Sequence, residues 1–509
     1  MRIRPLAAVL LLLAACAVGA PASRSVELRL IAFNDFHGHL ESAASLAAAI
    51  GELRRGHAHV AIVASGDLIG ASPMPSALYA DEPTVKALSQ AGLELSSVGN
   101  HEFDHGRKEL LRLQGMAGFH WLAANVFDAA TGKTLVPPYE IREYDGIRVA
   151  FVGAVLRATP QSIVASGVEG LEFRDEAASV NALVPSIRAA GAEAIVLLIH
   201  EGGHLPGRYD DPACPGFDGP IIDIVRRLDP AIDVVVGGHT HEAYSCRVGG
   251  RVVTSTSPYG HMATTIDLTL DRATHDITSA VAKLVAVDAS RFPPDPAIAK
   301  LVDEYVERAA PVVRRVVGVV YDELAATPLP SGQSRLGRFV AQAQLEAMRG
   351  AGAQAAFVDP GGLRAPLRGK GTADEVTYGD LRDTQPFGNR LVAMSLTGAQ
   401  LTRLLEQQWR GKRTSARPRL LSMSRGFEYQ FDESQPVGHR VVPHSVKLEG
   451  RELDSRRAYR IVVNDFLASG GAGYKVLREG TDRETGPVDV EALERYVALP
   501  VAERETPAL

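Results

Sequence analysis

Few cysteines, no long run of one charge sign, no low-complexity tract and no internal repeat occur in the 509 residues. Thiols are confined to Cys16, Cys214 and Cys246, so sulfur has little part in any site the chain builds. No basic run is present, and the formal net charge is −6 with a pI near 6.2. That balance argues against a nucleic-acid polymer as the main partner and leaves small anions open, because local sites capture them. With 46% hydrophobic composition and no biased tract, the chain is globular. At roughly 150 residues per domain it holds at least two domains. The longest apolar run has about 15 residues, short of the roughly 20 needed to span a bilayer.

That run lies in MRIRPLAAVLLLLAACAVGA, where Arg2 and Arg4 precede apolar residues that end in small ones. The layout is that of a secretory signal, expected over residues 1–22, and its removal would leave a net charge of −8. Leu13-Ala14-Ala15-Cys16 resembles a bacterial lipobox, which would make Cys16 a lipidated first residue; Ala20-Pro21-Ala22 offers ordinary cleavage instead. The expected location is the periplasm, with a lipid at Cys16, attached to the outer membrane, as the one membrane contact. Export would let Cys214 and Cys246 form a disulfide, the alternative being two unpaired buried thiols.

From residue 26 to about 285, apolar runs alternate with amphipathic segments. VELRLIAF, HVAIVAS, LELSSVG, RVAFVGAV, AIVLLI and DVVVGG read as buried strands. Between them lie helical patterns such as SAASLAAAIGELRRG, which puts Leu46, Ile50 and Leu53 on one face. This is a layered α/β domain over residues 23–290. RFPPDP then breaks the pattern, and the charged and apolar faces that follow predict a linker helix over 291–318. A second α/β region fills 319–509, with a terminal helix in PVDVEALERYVALP.

Five apolar runs finish in Asp, Asn or His next to Gly: AFNDFHGH, ASGDLIG, SVGNHEFDHG, LLIHEGGH and VVGGHTHE. In open α/β sheets ligands bind at the carboxyl ends of strands, so these tips are expected to converge. Any one alone reads as a solvated turn; five together point to a metal site. Imidazole and carboxylate without thiolate suit Zn, Mn, Fe or Co, whereas Mg prefers oxygen alone. Asp35, His37, Asp67, Asn100, His200, His239 and His241 make seven ligands, too many for one catalytic ion. Two divalent ions sharing a carboxylate are expected, a pair that activates water and clamps the oxygens at phosphorus.

NDFHG, GD, GNHEFD, the His of LIHEGG and GGHTH, in this order, resemble the calcineurin-like metallophosphoesterase domain of the 5′-nucleotidase family. The resemblance spans nearly the whole mature chain. It implies a four-layer α/β/β/α sandwich joined by the linker helix to a second α/β substrate-binding domain. It also implies Asp35, His37, Asp67 and His241 around one metal, and Asp67, Asn100, His200 and His239 around the other. His101, oriented by Asp104, would serve the phosphate and the departing oxygen, as an imidazole held by a carboxylate can. His39, His105 and His204 match no ligand of the family and are expected to be supporting or solvated.

In its second domain the family binds the nucleoside with an Asn-x-Gly-Gly-x-Arg loop, two rings around the base and a Gly-Gly-Asp-Gly loop at the ribose. Here DPGGLR supplies Gly361, Gly362 and Arg364, with Asp359 where Asn is usual. Phe387 in TQPFGN and Phe466 in NDFLASGG fall at the ring positions; as ordinary residues they would be core aromatics. Ala472 replaces the ribose-binding Asp, and Arg335 and Arg338 stand where relatives often carry smaller residues. The resemblance implies an exported 5′-nucleotidase acting on a small nucleoside 5′-monophosphate. The alternatives are a 2′,3′-cyclic nucleotide phosphodiesterase, a UDP-sugar hydrolase, a thiosulfohydrolase-like enzyme and a non-catalytic binding protein.

Overall fold

The computed structural model describes residues 24–409 and 420–504; the expected leader and Cys16 lie outside them. Among the described residues no helix is long and apolar enough to cross a membrane.

The apolar runs of the first half form two six-stranded sheets laid face to face. In one, the strands run in the order Ile277–Ala286, Met262–Asp271, Ser25–Phe33, Val60–Ser65, Leu95–Ser97, His120–Leu122. In the other, the order is Tyr244–Val248, Arg251–Ser255, Val234–Val236, Ala194–His200, Ile147–Val155, Tyr139–Tyr144. The central strands pair in parallel, which brings their carboxyl ends to one edge.

Strand Ala194–His200 shows why such runs are continuously apolar. Val196 and Leu198 face the opposing sheet together with Leu30, Val63 and Phe151. Ile195, Leu197 and Ile199 face outward, onto Ile221 and Ile224 of the helix Pro220–Arg227. Side chains alternate with a period of two, so a strand covered on both faces has no position for a polar residue. The outer layer on the other sheet holds Leu46 and Ile50 of the helix Leu40–Leu53. Helix, sheet, sheet and helix thus stack in four layers.

The linker helix is shorter than expected. It runs Pro296–Val313, begun by Asp295, whose Oδ1 accepts the N–H groups of Ala297 and Ile298 at 2.9 and 3.1 Å. Its Ile298 and Val302 are buried in the first domain's outer core. Val316–Val319 leaves the helix and pairs antiparallel with Glu375–Thr377. Consecutive valines favour an extended chain once a partner strand is available, and that preference overrides the helical period.

Beyond it, a five-stranded sheet has the order Ser422–Met423, Ala355–Val358, Ala458–Asn464, Arg390–Thr397, Thr481–Val488. Helices Arg335–Ala347 and Asp489–Ala498 cover one face, and Gly398–Glu406 covers the other. Ser334 caps the first of these helices through the Gly337 N–H at 2.9 Å.

Candidate metal centre and its surroundings

Each ligand candidate follows directly on a strand of the two sheets. Ser25–Phe33 leads into Asp35 and His37, Val60–Ser65 into Asp67, Leu95–Ser97 into Asn100 and His101, and Val234–Val236 into His239 and His241; Ala194–His200 ends in His200 itself. The backbone there is unusual. Asp35, His37, Asp67, His239 and His241 have φ of 51°, 48°, 49°, 71° and 57°, in the left-handed region. For a residue with a Cβ this costs on the order of 1 kcal/mol or more, and such residues cluster where function requires the geometry.

The turns are tight enough to exclude a side chain. A Cβ at Gly99 would collide with the Asp67 carboxylate and N–H, and one at Gly66 would stand 2.6 Å from the Gly99 nitrogen and 2.9 Å from His200 Nδ1.

Two groups of donors result. Asp35, His37 and His241 form one, and Asp67, His200 and His239 the other; within each, one donor atom per residue lies within 4.8 Å of the rest. His37 Nε2 is 3.1 Å from His241 Nε2, and His241 Nε2 is 3.3 Å from Asp35 Oδ1. Asp67 Oδ2 reaches both groups, 3.0 Å from His200 Nε2 and 3.6 Å from His37 Nε2.

These atoms suit divalent ions. His200 Nε2 is buried and, despite its closeness to Asp67, makes no hydrogen bond among the described residues, and buried Asn100 Oδ1 makes none either. Orphaned buried polar atoms are costly unless something binds them. The other ring nitrogens are committed: His37 Nδ1 lies 2.9 Å from the Gly70 carbonyl and His200 Nδ1 2.8 Å from that of Ser65. Donation from Nδ1 to a carbonyl leaves Nε2 as a lone-pair donor. Burial pushes the His239 pKa down to about 3 and holds His37 well below its ordinary value, so both are neutral, the form that binds metal. At His200 burial is outweighed by the Asp67 carboxylate, which raises that imidazole to about 10, so a metal bound there displaces a proton.

His101 stands apart from both groups. Its backbone N–H donates to Asp67 Oδ1 at 2.8 Å, and its ring Nδ1 lies 2.8 Å from Asp104 Oδ2. Burial opposes a charge there, but the Asp104 and Asp67 carboxylates outweigh it and hold the imidazole above its ordinary pKa. His39 pairs with Glu41, His204 pairs with Glu242, and His105 is exposed.

Two buried supports escaped the sequence reading. Glu102 Oε2 accepts the N–H groups of Asp67 and Gly99 at 2.9 and 2.5 Å, and its Oε1 accepts that of Leu68 at 2.8 Å. It thereby ties two ligand turns together; burial, with Asp67 adding to it, raises its pKa to about 7. Its position inside GNHEFD was the available signal. Asn34 donates from Nδ2 to Asp35 Oδ2 at 2.6 Å and accepts from the Thr256 N–H at 2.7 Å; its place at the head of NDFHG was the available signal.

The second domain reaches this site. The Phe387 ring stacks on His101, centroids 5.6 Å apart and planes at 16°, and the Arg364 guanidinium carbon lies 5.6 Å from the Phe387 centroid. Gly361 and Arg364 line a cavity of about 330 Å³ with Ser334, Leu363 and Leu420. Asp359 Oδ2 accepts the Gly361 N–H at 3.0 Å in the turn Pro360–Gly362 that carries Gly362. Phe466 packs on its domain's core, and its ring lies where Gly471 lacks a Cβ. Ala472 is left-handed at φ 50°. Arg335 lies 3.5 Å from Asp322, and Arg338 is half-buried. Cys214 and Cys246 form a disulfide with Cα atoms 5.9 Å apart.

Nitrogen and oxygen donors gathered at the carboxyl edge of a two-sheet sandwich are the layout of a divalent-metal site. Residues 28–243 match the calcineurin-like phosphoesterase family, and residues 316–479 match the 5′-nucleotidase C-terminal domain. The chain belongs to the two-domain 5′-nucleotidase family.

It is 25% identical over 546 residues to a 5′-nucleotidase of Vibrio cholerae, covering 96% of this chain and 94% of that one. It is 30% identical over 505 residues to "Endonuclease YhcR" of Bacillus subtilis, covering 93% of this chain but 40% of the relative, so it spans less than half of that protein's length. The crystal structure of the 5′-nucleotidase precursor from Thermus thermophilus superposes with a TM-score of 0.76 at 25% identity, covering 93% of this chain and 96% of the other.

Proposed function

We propose that this protein is a 5′-nucleotidase that holds two divalent ions and releases phosphate from nucleoside 5′-monophosphates. The observation that carries the reading is Asp67 Oδ2 within 3.6 Å of imidazole nitrogens from both donor groups, with the same carboxylate accepting the backbone N–H of His101. Asp35, His37 and His241 would hold one ion and Asn100, His200 and His239 the other, with Asp67 shared. Ions bound there, whether Zn, Mn, Co, Fe or Mg, would supply Lewis acidity to activate water and charge to meet the phosphoryl oxygens.

The chain's own groups supply the rest. Asp104 occupies Nδ1 of His101, so the ring's second proton sits at Nε2, where it stabilises the departing oxygen. Phe387 covers a face of that ring and limits water there. Arg364 offers a planar fork to a phosphate or sugar oxygen, Asp359 shapes the turn that presents Gly361 and Gly362, and Phe387 and Phe466 provide flat faces for a base. The Cys214–Cys246 disulfide supports an exported protein, since such bonds persist in oxidising compartments.

The test is hydrolysis by purified protein supplied separately with Mn, Zn, Co and Mg, read as phosphate release for the monophosphates and by chromatography of the products for substrates whose cleavage frees no phosphate. Nucleoside 5′-monophosphates should be the best substrates in a panel that includes 2′,3′-cyclic nucleotides, UDP-sugars, a thiosulfonate ester and an oligonucleotide. Release from none of the nucleotides would overturn the proposal. His101→Asn should lower kcat by about 10²–10⁴-fold.

A further inference from the structure

Tyr259 lies outside every motif that marks the metal centre, yet its ring is packed among the centre's histidines. It stacks on His39 with centroids 3.9 Å apart, and it meets His241 and His37 in edge geometry at 5.5 and 6.0 Å. Its φ of 66° is left-handed, an outlier for a bulky side chain. Both flanking peptide groups are pinned. The Tyr259 N–H donates to the Asp35 carbonyl at 2.8 Å, and its carbonyl accepts the Ser42 hydroxyl at 2.5 Å. The following Gly260 leaves no slack, since a Cβ there would lie 2.7 Å from Ser42 Oγ and 3.0 Å from the Phe36 ring. The turn is thus locked to the same strand end that carries Asp35 and His37.

Packing alone does not require a tyrosine at this point. The residue is only partly buried, and its hydroxyl makes no hydrogen bond among the described residues. A phenol is a neutral donor at ordinary pH. The His37 ring meets both Tyr259, at 6.0 Å, and His101, at 5.2 Å, and Phe387, stacked on His101, has the Arg364 guanidinium carbon 5.6 Å from its centroid. The phenol therefore shares the cleft with the guanidinium and the imidazole, beside the Asp35–His37–His241 group.

We propose that Tyr259 is a further substrate-contacting residue, donating its phenolic hydrogen to the anionic phosphoryl group that lies between the Asp35–His37–His241 donors and Arg364. This rests on the phosphohydrolase reading above. Its ring would screen His37 and His241 from solvent, and its hydroxyl would fix one phosphoryl oxygen. No covalent step is assigned to it.

The experiment compares wild type, Tyr259→Phe and Tyr259→Ala by three readouts: Mn titration of the protein, orthophosphate titration of the Mn-loaded protein, and steady-state kinetics. Tyr259→Phe should bind Mn as wild type does, while its phosphate affinity and kcat/KM should each fall by about tenfold or more, the scale of one hydrogen bond to an anion. Tyr259→Ala should also bind Mn more weakly, because the ring is lost. Wild-type phosphate affinity in Tyr259→Phe, or a loss of Mn affinity equal to the loss of phosphate affinity, overturns the proposal. If wild type hydrolyses no nucleotide, the functional reading fails separately, and phosphate titration still decides the role of Tyr259.

Discussion

His101 and Asp104 make the most direct case for chemistry at single residues. Because the Asp104 carboxylate helps hold the imidazole above its ordinary pKa, its removal lowers that pKa, and the protonated ring is lost at lower pH. Asp104→Asn should therefore shift the alkaline limb of the kcat/KM profile downward, checked by assays from pH 5 to 9; an unmoved limb would separate Asp104 from the proton. Ala472 gives a second residue-scale expectation. Its left-handed backbone is one that Asp adopts more readily than Ala, and Asp would restore an acceptor for sugar hydroxyls. Ala472→Asp should lower the KM for nucleoside monophosphates about tenfold without loss of thermal stability. The residues that gather in the two donor groups were legible in the sequence because each sits at the tip of an apolar run. Asn34, Glu102 and Tyr259 were not, because what they do depends on backbone groups of other segments, such as Asp67 N–H for Glu102 and Asp35 carbonyl for Tyr259.

At the scale of elements, the buried strands of both sheets could be read directly, since covering on two faces leaves no polar position to confuse the period. The end of the linker helix could not: Val316–Val319 finds its partner strand some 60 residues later, and only that pairing selects extended chain over helix. The terminal helix Asp489–Ala498 offers an element-scale test. Asp489 is buried at its first turn, and burial raises its pKa to about 7. An unfolded aspartate titrates near about 3.9, so this carboxyl favours the folded state below that pH and loses the advantage as pH rises through about 7. Asp489→Asn should flatten the slope of unfolding free energy over that window, a difference on the order of 4 kcal/mol at most, measured by denaturant melts at pH 4, 6 and 8. Equal slopes in both proteins would place the titration elsewhere.

For the whole molecule, two features govern integrity. The Cys214–Cys246 bond closes a separation of 32 residues, and its loss should cost about 3–4 kcal/mol on the chain-entropy account. A Cys214→Ala/Cys246→Ala double variant should show that drop in chemical denaturation with the fold retained. The second feature is the set of five left-handed residues that carry Asp35, His37, Asp67, His239 and His241. Because these side chains are set by the turns at strand ends rather than by long loops, ion capture is expected to need little chain rearrangement, its rate then being set by how quickly the ion sheds its own water. Slowly dehydrating Mg should load more slowly than Mn on the same scaffold, and the site should behave as a rigid chelator whose selectivity is decided partly by kinetics.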